Sequence, residues 1–275
     1  MDLKWIAVMV VGFIAAMVGM KKQKLGIGWG QPLAIVGAII AVGGAVMNLS
    51  GFMGSKGKQM DAEMRYIRLQ GQFLAEEVKN AANPSKVYVI CDANYFLDEN
   101  GNEKIRDYPL LNGVKAGLRG IEVVPVYKKI KVSAPKAGAP GQPAPMPAGV
   151  AELMNFNARD YKGIVDEIKK DKGGNIAVIN IHRFPSEMRL PGALAMLKGY
   201  KVGFVVTSPI DEVKFAFADK GKSCAEVVAA VMTRNDADYD AAIPSGDKKA
   251  FEARFVLVPA NGYEAAISKA IGGKK

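Results

Sequence analysis

The side chains in this sequence that can do chemistry are few. They are one histidine, His182, beside Arg183; two cysteines, Cys91 and Cys224; and the short polar sets Asp92 with Asn94, Ser208 with Asp211, and Asn261. A guanidinium next to His182 lowers the pKa of the imidazole, and the neutral ring can then act as a base. The alternative is a histidine that only hydrogen-bonds its own loop. Cys224, at the start of an expected helix, gains thiolate character there. The two thiols pair if the domain lies in an oxidising compartment and stay free otherwise. Two cysteines make no disulfide framework and match no metal spacing, and a single histidine excludes a His-rich metal centre.

Two further motifs fall short. Gly221-Lys222-Ser223 ends like a phosphate loop, but Ala216 stands where the earlier glycine belongs. Asp236, Asp238 and Asp240 alternate like calcium ligands, but Ala241 occupies the position of the turn glycine, and a solvated acidic loop is the plainer reading. No Cys–His–carboxylate order emerges. The expectation is therefore a non-enzymatic chain with no cofactor, the alternative being an enzyme working through His182.

The elements that must position these residues follow an apolar start. Residues 3–20 and 32–53 are almost unbroken apolar runs joined by a short loop bearing Lys21, Lys22 and Lys24. Each is long enough to cross about 30 Å of hydrocarbon as a helix. No small-x-small cleavage site precedes Lys21, so residues 1–53 are read as a retained transmembrane hairpin rather than a signal. Gly12, Ala16 and Gly19 on the first helix, and Gly37, Ala41 and Gly44 on the second, have the spacing that lets helix backbones approach in lipid. The loop lysines favour a cytoplasmic loop, while Lys56, Lys58, Arg65 and Arg68 pull the other way. The balance puts the rest of the chain outside a bacterial-type cytoplasmic membrane.

Residues 54–84 form a juxtamembrane segment. Met60, Met64, Ile67, Gly71, Leu74, Val78 and Ala81 alternate by four and three. This stripe suits either a helix lying on its own domain or a stalk pairing with another helix. Residues 85–275 then alternate strand and helix. Apolar strands are expected at 86–91, 121–127, 175–181, 201–207 and 254–259. Helices are expected after Asp107, across 150–168, at 191–199, after a Ser223/Glu226 capping box, and after Asn261 as cap. Residues 213–218 read as a short edge strand or a helix. Solid apolar strands between amphipathic helices mean a three-layer α/β/α domain with a mainly parallel sheet of five strands, or six if 213–218 joins. Asp98-Glu-Asn-Gly-Asn102 suits a small hairpin, the proline-rich 133–149 an extended loop over the site, and 235–249 a polar loop.

In such a sheet ligands sit beyond the carboxyl ends of the strands. That edge gathers Asp92, Asn94, His182, Arg183, Ser208, Asp211 and Asn261, with Cys91 and Cys224 nearby. The net charge is +10, but the lysines are scattered and not interleaved with aromatics, which speaks for a solvated surface and against nucleic acid.

The run Asn112-Gly-Val-Lys-Ala-Gly-Leu-Arg-Gly-Ile-Glu-Val-Val-Pro-Val126, the helix end Ile164-Val-Asp-Glu-Ile-Lys-Lys170, the strand 176–181, and Leu194-Ala-Met-Leu-Lys-Gly-Tyr-Lys-Val-Gly-Phe-Val-Val206 resemble successive units of the first lobe of type I periplasmic binding proteins. The resemblance covers about residues 86–209 and rests on pattern. It implies a flavodoxin-like lobe whose strand ends touch a small polar solute such as a sugar. The chain is too short for the second lobe that would close such a cleft. The expected partners are accordingly membrane lipid, other protein chains, and a small polar ligand at the edge.

Overall fold

The computed structural model describes residues 3–25, 28–97, 103–104, 106–129 and 155–272. The chain divides into two compact units, Met1–Glu63 and Met64–Lys275. The proline-rich 133–149 and the turn residues 98–102 lie outside the described residues.

In the first unit, α1 (Leu3–Lys24) packs against the start of α2 (Gly30–Ala82). A Cβ on Gly12 would strike Ala41 and Gly37 backbone, one on Gly19 would strike Ala34 and Gly30, and one on Gly37 would strike Ala16 and Gly12. The contacts run in opposite directions along the two helices, and small residues make them. Large apolar residues point the other way: Val10, Val11, Phe13, Ile14, Met17, Ile35, Val36 and Ile39 are exposed. The stretch Ile6–Lys24 is long and apolar enough to cross a membrane.

In the second unit a six-stranded mixed sheet has the order β2-β1-β3-β4-β5-β6. Its strands are β1 (Lys86–Ile90), β2 (Glu122–Val126), β3 (Ile176–Asn180), β4 (Lys201–Val205), β5 (Glu226–Thr233) and β6 (Phe255–Pro259). The first five are parallel and β6 is antiparallel to β5. One face is covered by α4 (Ala158–Ile168), α5 (Leu190–Met196), α6 (Ile210–Asp219) and α8 (Tyr263–Ala270), whose Tyr161, Ile164, Leu194, Val213 and Ile267 pack with Tyr88, Ile90, Val178 and Phe204 of the strands. The other face is covered by the second half of α2, by α3 (Pro109–Gly117) and by α7 (Asp247–Arg254), with Leu74, Val78, Val114 and Phe251 against Val87, Val89, Ile179 and Val231.

Of the heptad-like stripe, Met60 and Met64 are exposed, while Leu74 and Val78 lie on the helix's own domain. Leu74 and Val78 are wholly buried, and both meet Gly203 of β4, where a side chain would collide with them. α3 approaches α2 through glycines as well. A Cβ on Gly113 would meet the Arg68 carbonyl, one on Gly117 the Gln72 carbonyl, and one on Gly71 the Leu110 carbonyl. At the opposite end of β1, Asp171 ties the strand to the turn after α4. Its carboxylate accepts from Lys86 Nζ (3.0 Å), Tyr88 Oη (2.8 Å) and Gly173 N (2.9 Å), which together hold its pKa at about 2, the Gly173 N–H contributing most.

Two expectations need correction, at β5 and at β6, and two open readings are decided. Residues 226–233 are a strand: the Val-Val-Ala-Ala-Val-Met run is buried on both sides, paired between β4 and β6, and that burial outweighs the capping-box pattern at Ser223 and Glu226. Ser223 instead donates its N–H and hydroxyl back to Asp219. Residues 213–218 are helical, because Val213, Ala216 and Phe217 share one buried face with i, i+3, i+4 spacing while Phe215 is half exposed. The polar loop holds over residues 235–246, and its last three residues begin α7, which buries only Ala250, Phe251 and Arg254. The last strand, which follows α7 directly, pairs antiparallel with β5. Arg234 N, just past β5, donates to Arg254 O at 2.8 Å.

Candidate site at the carboxyl ends of β1 and β3

The order β2-β1-β3 means that the chain leaves β1 towards one side of the sheet and β3 towards the other. The crevice of a doubly wound sheet opens at such a reversal. Pairing continues past both strands: Cys91 N donates to Val126 O (2.9 Å) and Ile181 N donates to Ile90 O (3.1 Å). The residues that come next, Asp92 and His182, are thereby set side by side.

Asp92 caps the 3-10 turn Ala93–Tyr95, its Oδ1 accepting from both Asn94 N and Asn94 Nδ2 at 2.9 Å. Aromatic stacking holds that turn, with Tyr95 on Tyr108 (3.8 Å between centroids) and Phe96 on Tyr127 (4.3 Å). Backbone pairing with the returning strand adds to it: Lys104 N to Phe96 O at 2.8 Å, Arg106 N to Tyr95 O at 2.9 Å, and a bridge between Leu97 and Glu103.

His182 Nδ1 lies 3.9 Å from Asp92 Oδ2, its side chain is 12% exposed, and its ring meets Phe156 edge-on at 4.4 Å. Its backbone N–H donates to Asn180 Oδ1 (3.1 Å). Burial lowers the His182 pKa, Arg183 lowers it further, and Asp92 opposes both without winning. The lowered pKa read from Arg183 holds, but burial is the larger cause. The consequence for stability has a definite sign. A histidine with a folded pKa below its unfolded value near 6.5 contributes stability above that pH and loses it as pH falls through the folded value. Thermal unfolding followed from pH 7.5 to 5 should therefore show a decline in Tm that His182→Gln flattens. An unchanged slope in the variant would contradict the assignment.

The other expected residues separate from this pair. Arg183 is exposed beside it. Ser208 lines a cavity of about 270 Å³ between the loops after β3 and β4, with Phe184, Glu187, Thr207 and Glu212. Asp211 borders a neighbouring groove of about 570 Å³ between α5 and α6, with Pro191, Gly192 and Phe215. Glu212 stands between the two. It accepts from Leu190 N (2.7 Å) and Arg189 Nε (3.0 Å), and these bonds, the Leu190 N–H first, hold its carboxyl below the usual range.

Asn261 lies at the opposite edge. β6 runs against the other strands, so its carboxyl end sits beside the start of β5, where Pro259 is level with Ala229. Nor does Asn261 cap the last helix, whose N-cap is Gly262 in a left-handed conformation. Cys224 is also at that opposite edge, ahead of β5 and buried. Its thiol is pushed up to about 11 by burial and by Asp219, contrary to the expected thiolate character. Cys91, buried at the β1 end, is raised by burial too; both cysteines are free, and because they lie at opposite edges of the sheet their free state does not discriminate between the two compartments. Asp236 pairs with Arg234 (2.7 Å), and Asp238 accepts from Asp240 N and Ala241 N. No group of three metal donors converges among the described residues.

Asn180 is the residue that the sequence reading did not single out. It ends β3, is wholly buried, and shares the sheet face of Ile90 and Phe204, its register partners. A lone amide closing the apolar run Ile-Ala-Val-Ile is a signal the sequence carries. Set against known proteins, the chain matches no family model, no curated protein and no solved structure.

Proposed function

We propose that this protein is a non-catalytic, membrane-anchored subunit. A hairpin of α1 and the start of α2 fixes it in the bilayer, and its α/β domain is presented to other protein chains at the membrane surface. The reading rests above all on the inverted burial of the first unit: glycine and alanine fill the helix contact while valine, isoleucine and phenylalanine face outward. In water that arrangement exposes what the hydrophobic effect would hide. In lipid, where small residues allow close packing and large apolar ones meet acyl chains, it is the favourable one. The loop lysines Lys21, Lys22 and Lys24 support an extracytoplasmic domain.

Native membranes carrying the full chain test each part. Alkaline carbonate should leave the protein in the pellet, detergent should release it, and protease added to intact spheroplasts should digest the α/β domain. Cross-linking before solubilisation should capture it with other chains. Release by carbonate would refute the anchor, a protected domain would refute the sidedness, and a bare monomer after cross-linking would refute the subunit role.

A further inference from the structure

Six lysines spread along residues 169–222 are gathered by the topology onto one edge of the sheet. β3, β4 and β5 run parallel and start level with one another, Ala177 beside Lys201 and Lys201 beside Glu226. The turns that feed them therefore stand in a row at the amino edge. Lys169, Lys170 and Lys172 precede β3, Lys198 precedes β4, and Lys220 and Lys222 precede β5. All six are exposed, and none has an ion pair or a side-chain hydrogen bond among the described residues. The carboxylates of the same turns are engaged within the domain. Asp171 is paired with Lys86 (3.0 Å), and Asp219 accepts from Ser223 N and Cys224 N.

Neighbouring strands stand about 4.8 Å apart, so the three turns span about 10 Å. The Debye length at physiological salt is about 8 Å, and over that reach the lysines act as one field. Part of their charge answers the carboxyl ends of α4, α5 and α6, which carry about half a negative charge each. Glu226, exposed at the start of β5, offsets one lysine more. The row keeps a positive excess after both.

The rest of the row narrows the partner. No large apolar or aromatic side chain is exposed in these three turns. Nothing there can stack on a nucleic-acid base or enter a lipid interface. The cations are lysines, compact point charges on flexible stems, rather than the planar guanidinium forks that grip phosphate bidentately. A run of carboxylates needs neither a stacking surface nor a fork, only mobile ammonium groups set close together.

We propose that the amino edge of β3, β4 and β5 is a docking surface for an acidic protein segment, rich in aspartate and glutamate. This surface rests on the reading that other chains meet the α/β domain, and it gives one of them its chemistry. The two can fail separately. A chain that cross-links to nothing in its native membrane, yet binds poly-L-glutamate at this edge, would keep the surface and overturn the subunit role. Cross-linked partners without poly-L-glutamate binding would keep the role and overturn the surface.

The test is fluorescence anisotropy of labelled poly-L-glutamate with the full chain in non-ionic detergent micelles. Two quadruple variants remove equal charge. One carries Lys169→Gln, Lys170→Gln, Lys198→Gln and Lys222→Gln at the amino edge. The other carries Lys104→Gln, Lys248→Gln, Lys249→Gln and Lys269→Gln, exposed lysines at the carboxyl edge. None of the eight has a side-chain partner among the described residues, so both variants should keep the parent's Tm. The parent should bind. The amino-edge variant should bind at least tenfold more weakly, and the carboxyl-edge variant less than threefold more weakly. Oligothymidylate of equal charge should bind more weakly than poly-L-glutamate, and phosphatidylglycerol added to the micelles should not displace it. No binding, an equal loss in the two variants, oligothymidylate bound as tightly, or displacement by phosphatidylglycerol would each overturn the proposal. If the amino-edge variant melts below the parent, Lys172→Gln with Lys198→Gln takes its place, with a loss of at least threefold expected.

Discussion

Gly113→Val should cost the α/β domain about 3 kcal/mol or more, seen as a Tm lower by roughly 6–12 °C or as failure to fold. Gly113 sits where α3 crosses α2, and a Cβ there meets the carbonyl of Arg68 and the backbone of Gln72. A rotating side chain could yield, but a helix backbone cannot. To make room, α3 must lift away from α2, and the contacts of Leu110, Leu111 and Val114 with Leu74 and Ala75 open with it. Overpacking ordinarily costs about 1–3 kcal/mol, and with no flexible neighbour the upper end applies. Against a total stability of about 5–15 kcal/mol that is a large fraction. Gly163→Ala is the control: Gly163 lies within α4 with open space around it, and alanine there should stabilise by about 0.5–1 kcal/mol. Circular dichroism melts of both variants decide. An unchanged Tm for Gly113→Val would mean that the helices are not seated as described.

The glycine seam shows where sequence reading is strong and where it is not. On α1 and α2 the small residues could be read because the surrounding residues are uniformly apolar, so the spacing stood out. Gly113 and Gly117 have the same separation, but within an ordinary amphipathic helix they read as neutral filler until the partner helix is in view. The parallel core from β1 to β4 was legible for a similar reason, since its strands are short apolar runs bounded by turn residues. β5 was not. Its eight residues carry a capping pattern at the start, and only central burial, a tertiary fact, decides for strand. The direction of β6 was hidden as well, because it depends on α7, a helix whose polar composition gives almost no periodic signal.

The same division runs through the site. Asp92 and His182 follow directly from strand ends, so topology alone could bring them together. Asn261 follows a strand end too, but that rule holds only while strands run the same way, and the reversed β6 carries it to the far edge. Cys224 moved for the matching reason: once 226–233 is a strand, the residue before it belongs to the amino end. Asn180 carries no sequence signal of its role, because polarity inside a strand is invisible to a pattern that counts apolar positions. Its importance lies in an unpaired atom, which no sequence displays.

Replacing Val11 and Ile39 together with lysine separates a lipid-facing hairpin from a water-facing one by giving opposite results. Both are exposed, at 63% and 66%, and both lie near the middle of their apolar stretches. Each lysine at the centre of a membrane helix costs about 3 kcal/mol, so the pair should cost roughly 6 kcal/mol and sharply deplete the membrane-inserted fraction. If water bathes these positions, the change removes exposed apolar surface and adds two charges, which raises solubility and leaves the helix contact intact, since Gly12 and Gly37 are untouched. Carbonate extraction of the double variant beside the parent chain measures the outcome. Gly12→Leu completes the argument from the other side. It adds apolar surface and so favours lipid, but it forces α1 away from Gly37 and Ala41. Insertion should survive while the distance between spin labels on cysteines placed at the exposed Val11 and Val42 lengthens. A double-lysine chain that stays in the pellet, or a Gly12→Leu chain whose label distance is unchanged, would mean that acyl chains are not what those outward residues meet, or that the glycines are not what holds the two helices together.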